Sequence, residues 1–67
     1  MENNSNEIKI INFLKDGEKS TTDISHNINR NFYDTNKLLE KLETENRVEK
    51  IEVGKFTFWR LINGEEI

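Results

Sequence analysis

The order of helix-like and strand-like segments between residues 21 and 61 is the sequence feature that most restricts the possible folds of this chain. A short helical segment is followed by a polar turn, a longer amphipathic helix and two strand-like runs joined by Gly54-Lys55. Another helical segment precedes them, so the sequence predicts the order helix, helix, helix, hairpin. Because the chain has only 67 residues, we expect one domain with a small core.

The first helix is predicted over residues 6–16, after a flexible N-terminus at residues 1–5. Gly17 suits its C-terminal cap, because glycine readily adopts a positive φ. The apolar positions of this helix are Ile8, Ile10, Ile11 and Leu14. The segment 18–20 is long enough only for a short bridge, which we expect to add a third strand to the hairpin.

The second and third helices are predicted over residues 21–29 and 33–46. Ser20 can cap the second helix, since it stands three residues before Asp23. The third helix carries a core stripe of three leucines, and Asn46 can end it in the left-handed conformation. The turn at residues 29–31 is rich in asparagine, which tolerates that conformation.

The hairpin is predicted from two strands, residues 47–53 and 56–62, around a two-residue Gly-X loop. This register pairs Val53 with Phe56, Ile51 with Phe58, and Glu49 with Arg60. A polar, flexible tail is expected at residues 63–67, so the domain itself spans 6–62. The predicted core is Ile8, Ile11, Leu14, Ile24, Ile28, Leu38, Leu39, Leu42, Val48, Trp59 and Leu61.

Alternation along the strands gives the hairpin two different faces. If the face of Val48, Trp59 and Leu61 packs on the helices, the opposite face is an exposed apolar patch. We expect such a patch on a small domain to be an interface for a homodimer or a protein partner. Its residues are Ile51, Val53, Phe56 and Phe58.

Composition excludes several classes of function. The chain has no cysteine and one histidine, so we expect no disulfide, no metal site and no cofactor. No serine stands in a nucleophile-elbow context and no small-molecule site is indicated, so we expect no enzyme activity.

No apolar run approaches the ~20 residues that a membrane span needs, and a cytoplasmic location is expected. The net charge of −3 argues against strong non-specific binding to nucleic acid.

The order of elements from Thr21 to Leu61 resembles the winged helix-turn-helix family, small DNA-binding modules of archaeal, bacterial and viral regulators. The resemblance implies an α+β fold: a three-helix bundle with a C-terminal, two- to three-stranded antiparallel β-wing. It also implies that helix 3 enters the major groove of duplex DNA and that the wing reaches the backbone. The expected function is that of a small, dimeric transcriptional regulator.

In that family, polar side chains on helix 3 and the preceding turn contact bases and phosphates. Asparagine can read adenine, and lysine can meet guanine or phosphate. The alternative is an ordinary solvated helix face, with Lys37–Glu40 and Lys41–Glu45 pairs. The DNA contacts predicted here are Arg30, Asn31, Tyr33, Asn36, Lys37 and Lys41, with Lys55 on the wing.

A narrower resemblance involves the run Thr35-Asn36-Lys37-Leu38-Leu39 together with Trp59. This combination is similar to the Z-DNA-binding domains of RNA-editing deaminases and poxvirus interferon-resistance proteins. It implies that Asn36, Lys37 and Trp59 meet the zigzag backbone of left-handed DNA. The sequence departs from that family at Glu40, where the family has a tyrosine, and in a wing that lacks paired prolines.

A function of another class also fits the sequence. Winged helices serve as protein-interaction modules in larger complexes, and the acidic composition and the apolar hairpin face favour such a role.

We predict that Trp59 is a buried core residue; the alternative is an exposed ring that stacks on a nucleic acid.

Overall fold

The computed structural model describes residues 2–62 and shows three helices with a three-stranded antiparallel sheet. The predicted tail at residues 63–67 and Met1 lie outside the described residues. No helix of the described part is long and apolar enough to cross a membrane. The elements are α1 Glu2–Leu14, β1 Lys19–Ser20, α2 Thr21–Ile28, α3 Phe32–Thr44, β2 Val48–Val53 and β3 Phe56–Leu61.

Helix α1 differs most from the sequence prediction. It begins at Glu2, where a start near residue 6 was predicted, and it ends at Leu14, two residues before the predicted end. The predicted N-terminal segment 1–5 is therefore helical from Glu2 on; its flexibility stays a prediction. Gly17 follows the helix with φ +130° and donates its N–H to the Leu14 carbonyl at 3.0 Å. This positive φ explains a glycine at the corner, because other residues would be strained there.

The buried side of α1 was predicted correctly at Leu14 and wrongly at Ile8. Ile8, placed in the core from sequence, is 59% exposed, whereas Ile10 is fully buried. Glu7 is buried on the same side as Ile10 and Leu14, at the spacing of i, i+3 and i+7. The helix is thus rotated from the predicted stripe, and an acidic residue occupies part of its inner side.

Helices α2 and α3 begin at the side-chain caps that stabilise their first amide groups. Ser20 caps α2, as predicted, and its Oγ accepts a hydrogen bond from the N–H of Asp23 at 3.1 Å. Helix α3 begins at Phe32 and ends at Thr44, with Asn46 in the left-handed conformation at φ 62°. The αL position of Asn46 confirms the prediction, and it turns the chain into β2.

The sheet has the order β1-β3-β2, and the predicted register is confirmed at every pair. Glu49 stands opposite Arg60, Ile51 opposite Phe58 and Val53 opposite Phe56. The short β1 pairs with β3, which confirms the predicted third strand. At the loop, Gly54 has φ +61°, as the first central residue of a Gly-X hairpin requires.

The core lies between the three helices and the inner face of the sheet. The predicted face packs inward, since Val48 is 1% exposed and Trp59 fully buried. Predicted core members Ile11, Leu38 and Leu61 are only partly buried against this cluster. The buried apolar residues are Ile10, Leu14, Ile24, Ile28, Leu39, Leu42, Val48 and Trp59.

Candidate nucleic-acid interface

The turn between α2 and α3 brings the first residues of α3 to the surface. Asn29 adopts the left-handed conformation with φ 59°, and the N–H of Arg30 donates to the Ser25 carbonyl at 3.1 Å. Asn31 then caps α3, because its Oδ1 accepts a hydrogen bond from the N–H of Asp34 at 2.7 Å. The Asn31 oxygen is therefore engaged in the helix cap, and its amide N–H groups are what a ligand would meet.

Tyr33 and Lys37 form an exposed pair on the first two turns of α3. Tyr33 is 67% exposed, and the Lys37 ammonium lies 5.2 Å from the centre of its ring. Residues four apart lie on the same side of a helix, so both side chains face solvent together. A cation at this distance is attracted to the face of an aromatic ring, which orders the long lysine chain. This pair combines a positive charge with a flat apolar surface.

Asn36 lies beside this pair and contacts a carboxylate. It is half-buried, and its Nδ2 donates to Glu40 Oε2 at 3.2 Å. The alternative of a solvated helix face predicts a Lys37–Glu40 pair, whereas in the structure Glu40 accepts from Asn36. With the amide nitrogen turned toward Glu40, the Asn36 oxygen is the atom available as an acceptor for a ligand.

Lys41 has a partner on a different helix from the one expected. Its Nζ lies 2.9 Å from Oε2 of Glu7 in α1, and the Glu7 side chain is only 12% exposed. Hydrogen bonding and charge attraction from Glu7, with a smaller contribution from Glu45, raise the pKa of Lys41 above its usual value. The ion pair ties α3 to α1. The alternative of a solvated helix face predicts a Lys41–Glu45 pair, whereas in the structure the close partner of Lys41 is Glu7.

Carboxylates also surround the polar side of α3. Glu40 and Glu43 are exposed, and Asp34 is half-buried in the first turn. A shallow depression beside α3 places Arg30 and Lys37 around Asp34, and its lining is completed by Asn6 and Leu38. The surface is thus of mixed charge, and repulsion from its carboxylates weakens its attraction for phosphates.

The hairpin contributes one exposed cation at its tip and two that have nearby partners. Lys55 is exposed in the Gly-X loop. Arg60 donates to Glu49 Oε1 at 3.0 Å on the outer side of the sheet. The Lys50 ammonium lies 5.7 Å from the centre of the Trp59 ring, so it covers the outside of the core. Of these basic residues, Lys55 is the one best placed to reach a ligand.

Trp59 is buried in the core. It is fully buried, and its Nε1–H donates to Thr21 Oγ1 at 2.7 Å, linking β3 to the start of α2. This confirms the prediction of a core anchor. In this structure the indole cannot contact a ligand as the Z-DNA resemblance implied, because no part of its ring reaches the surface.

The predicted contact residues all reach the surface, but they differ in their contacts within the protein. Arg30, Tyr33, Asn36 and Lys37, on and before α3, are exposed or half-exposed, and Lys55 is exposed at the hairpin tip. Asn31 and Lys41 are exposed as well, but the Asn31 oxygen caps α3 and the Lys41 ammonium pairs with Glu7. Sequence reasoning missed Glu7, since an acidic residue within an apolar helical stretch gives no sign of a partner 34 positions later.

No protein-family model and no curated protein matches the chain. Comparison with solved structures gave clear likenesses. The first is a homodimeric winged helix-turn-helix DNA-binding domain from Mycobacterium bovis, described as a possible ArsR-family transcriptional regulator. It has a TM-score of 0.86 and 21% identity over 92% of this chain and 57% of that one. This chain therefore spans little more than half of that structure.

Two further structures match over most of this chain. The Zalpha domain of PKZ from Carassius auratus, solved in complex with Z-DNA, has a TM-score of 0.82 and 25% identity, covering 92% of this chain and all of that one. A hypothetical protein of Pyrobaculum spherical virus has a TM-score of 0.73 and 21% identity, covering 94% of this chain and 43% of that one. Together with the element order and the sheet register, these likenesses show that the chain has the winged helix-turn-helix fold.

Proposed function

We propose that this protein binds duplex DNA as a small transcriptional regulator, with α3 in the major groove and the hairpin tip on the backbone. One observation carries the proposal: Tyr33, Asn36 and Lys37 stand together on the outer side of the first half of α3. In a winged helix this half of the third helix is the part that enters the groove.

The chemistry of these side chains fits the edges of bases. A lysine can donate to the acceptors of guanine, and an asparagine can bind adenine. The Asn36 amide nitrogen donates to Glu40, so the Asn36 oxygen is the atom that would accept from an exocyclic amine of a base. The exposed ring of Tyr33 offers an apolar surface to a thymine methyl group.

The charge of the surface sets the expected strength of binding. Counterion release by phosphate contacts supplies most of the non-specific affinity of DNA-binding proteins. With 10 basic and 13 acidic residues, this chain can supply few such contacts. We therefore expect weak binding to random DNA and a gain in affinity that depends on base contacts.

Titration of the purified protein into fluorescent duplexes of random sequence, followed by anisotropy at several salt concentrations, tests the proposal. We expect Lys37→Ala to reduce the slope of log affinity against log salt by about 1. Lys15→Ala, in the turn after α1, is the matched control and should leave the slope unchanged. Absence of binding at low salt would contradict the proposal.

Left-handed DNA is a second candidate ligand, favoured by one observation. The Zalpha domain described above is matched over its whole length, and it was solved with Z-DNA. Asn36 and Lys37 are exposed enough to meet a zigzag backbone, whereas Trp59 is buried. Adding the protein to a CG-repeat duplex and recording the circular dichroism of the DNA separates the two ligands, since only a Z-DNA binder inverts that spectrum.

A protein-interaction role is the candidate from another class, and the outer side of the hairpin favours it. Phe56 is 66% exposed and Val53 is 58% exposed on the same side of the sheet. Ile51 and Phe58, the next residues of this side along the two strands, are half-buried. Exposed apolar patches of this kind mark interaction sites. Amide NMR shifts confined to the hairpin on addition of a partner, with α3 unmoved, would support this role over DNA binding.

A further inference from the structure

The outer face of the hairpin presents an ordered set of side chains to solvent. Because Val48 and Trp59 point inward, their neighbours along each strand point away from the helices. We use the name outer hairpin face for these six residues. They are Glu49, Ile51, Val53, Phe56, Phe58 and Arg60.

The pairing register makes this face complementary to itself. Each apolar residue has an apolar neighbour across the strands, Ile51 opposite Phe58 and Val53 opposite Phe56. The remaining pair joins an acid to a base, with Arg60 Nε 3.0 Å from Glu49 Oε1. The face is therefore neutral, although the whole chain carries a net charge of −3.

We propose that a second copy of this chain packs on the outer hairpin face, related by a two-fold axis that runs parallel to the strands between the two sheets. Such a rotation places β2 of one copy over β3 of the other. Every side chain then meets the counterpart of its own cross-strand neighbour. Ile51 faces Phe58, and Glu49 of each copy faces Arg60 of the other.

This arrangement follows the ordinary geometry of packed sheets. Two sheets stack about 10 Å apart with their strands rotated by about 30°, so the match is tightest at the centre of the face and looser at its ends. An isologous contact needs a surface without like charges opposite each other. On the outer hairpin face, one ion pair and two apolar pairs follow each other along the strands, so two copies face each other without like charges in contact. For this reason we assign the face to a second copy of the chain.

The size of the face sets the expected strength of the dimer. A fully buried aromatic side chain contributes roughly 150–250 Å², and the two phenylalanines here are each buried in part already. The contact is therefore smaller than the roughly 800 Å² per partner of a stable complex. We expect a weak dimer that forms at micromolar to millimolar concentrations.

The dimer leaves α3, the main part of the candidate nucleic-acid interface, open. The outer hairpin face lies on the side of the sheet opposite to the helices, so α3 stays exposed in both copies. The proposal is independent of DNA binding, and it can be tested with protein alone.

Sedimentation equilibrium up to about 1 mM, with charge exchanges at the ion pair, tests the proposal. Glu49→Arg leaves two arginines on each face and R60E leaves two glutamates, so each variant should associate at least tenfold more weakly than the wild type. An equimolar mixture of the two should form a mixed dimer, because arginines then face glutamates. The double variant E49R/R60E should dimerise as the wild type does, since its faces are again complementary.

The matched control is Glu43→Arg, which makes the same change of charge at an exposed position of α3. It should leave the association unchanged, and far-UV circular dichroism should show that every variant is folded. A wild-type protein that stays monomeric throughout overturns the proposal and leaves the face to a different protein. The proposal is equally overturned if the mixture associates no more tightly than its two components.

Discussion

The two faces of the hairpin are built from alternate residues of the same strands, yet they differ sharply in exposure. On the inner face Val48 and Trp59 are almost completely buried, whereas on the outer face Val53 and Phe56 are more than half exposed. Both faces carry large apolar side chains, so their presence alone does not explain the difference. The inner face has the helices to pack against, and the outer face has no counterpart within the described chain.

The inner face also has a directional contact that the outer face lacks. The Trp59 indole donates to Thr21 at the start of α2, which fixes the sheet relative to the helices. The outer face has only a surface ion pair, between Arg60 and Glu49, at its end. We therefore expect the inner face to determine stability and the outer face to determine association.

The largest effect is expected from Trp59→Ala. Removing a large buried side chain costs about 3–5 kcal/mol. A domain of 67 residues has a total stability of about 3–10 kcal/mol, so the variant should lose a large fraction of it and unfold at a much lower urea concentration. Urea unfolding followed by far-UV circular dichroism measures the change, with W59F, which keeps a large ring, as the milder reference. A cooperative transition of the Trp59→Ala variant at the wild-type urea midpoint would show that the inner face does not determine the stability of the domain.

The next effect is expected from Thr21→Val, which keeps the volume of a 3% exposed side chain and removes its oxygen. The indole N–H of Trp59 then stays buried without an acceptor, which costs about 1–3 kcal/mol. T21S restores the acceptor and is the control. In the double variant T21V/W59F both partners are gone, so the two losses should be less than additive. Additive losses would show that the hydrogen bond is not what joins the sheet to α2.

A smaller effect is expected from Lys50→Met, at the border of the inner face. The Lys50 ammonium lies 5.7 Å from the centre of the Trp59 ring, and the side chain is 33% exposed. Methionine keeps the apolar stem over the indole and removes the charge, so we expect a loss of about 0.5–1 kcal/mol in unfolding free energy. The loss should persist in high salt, because the contact is partly shielded from solvent. An unchanged free energy of unfolding would show that the contact between Lys50 and the Trp59 ring does not stabilise the fold.

Local rules account for most of the fold that could be predicted from the sequence. The caps at Ser20 and Asn46, the Gly54 loop and the strand register depend on neighbours within a few residues, and all of them were predicted correctly. The buried side of α1 could not be predicted in this way. Apolar spacing allowed both Ile8 and Ile10, and only packing against the rest of the domain decides that Ile10 is buried, with Glu7 beside Lys41 on the same side.

The candidate site was predictable in position and less so in detail. The sequence located Tyr33, Asn36 and Lys37 on the outer side of α3, because the leucines of that helix define its inner side. It did not show that Asn36 would donate to Glu40 or that Lys41, on the surface of α3, would pair with Glu7 of α1. Several partners lie within reach of a long side chain on a helix, and tertiary packing decides among them.

The smallest effect on stability is expected from Phe56→Ser on the outer face. Because Phe56 is 66% exposed, its truncation should change the unfolding free energy by no more than about 0.5 kcal/mol. The same change should weaken self-association, since the ring lies opposite Val53 in the face that we assign to a second copy. Urea unfolding at low protein concentration measures the first effect, and sedimentation at high concentration measures the second. If Phe56→Ser unfolded the monomer as readily as the loss of Trp59, the ring would have to be part of the core, and the distinction between the two faces would be wrong.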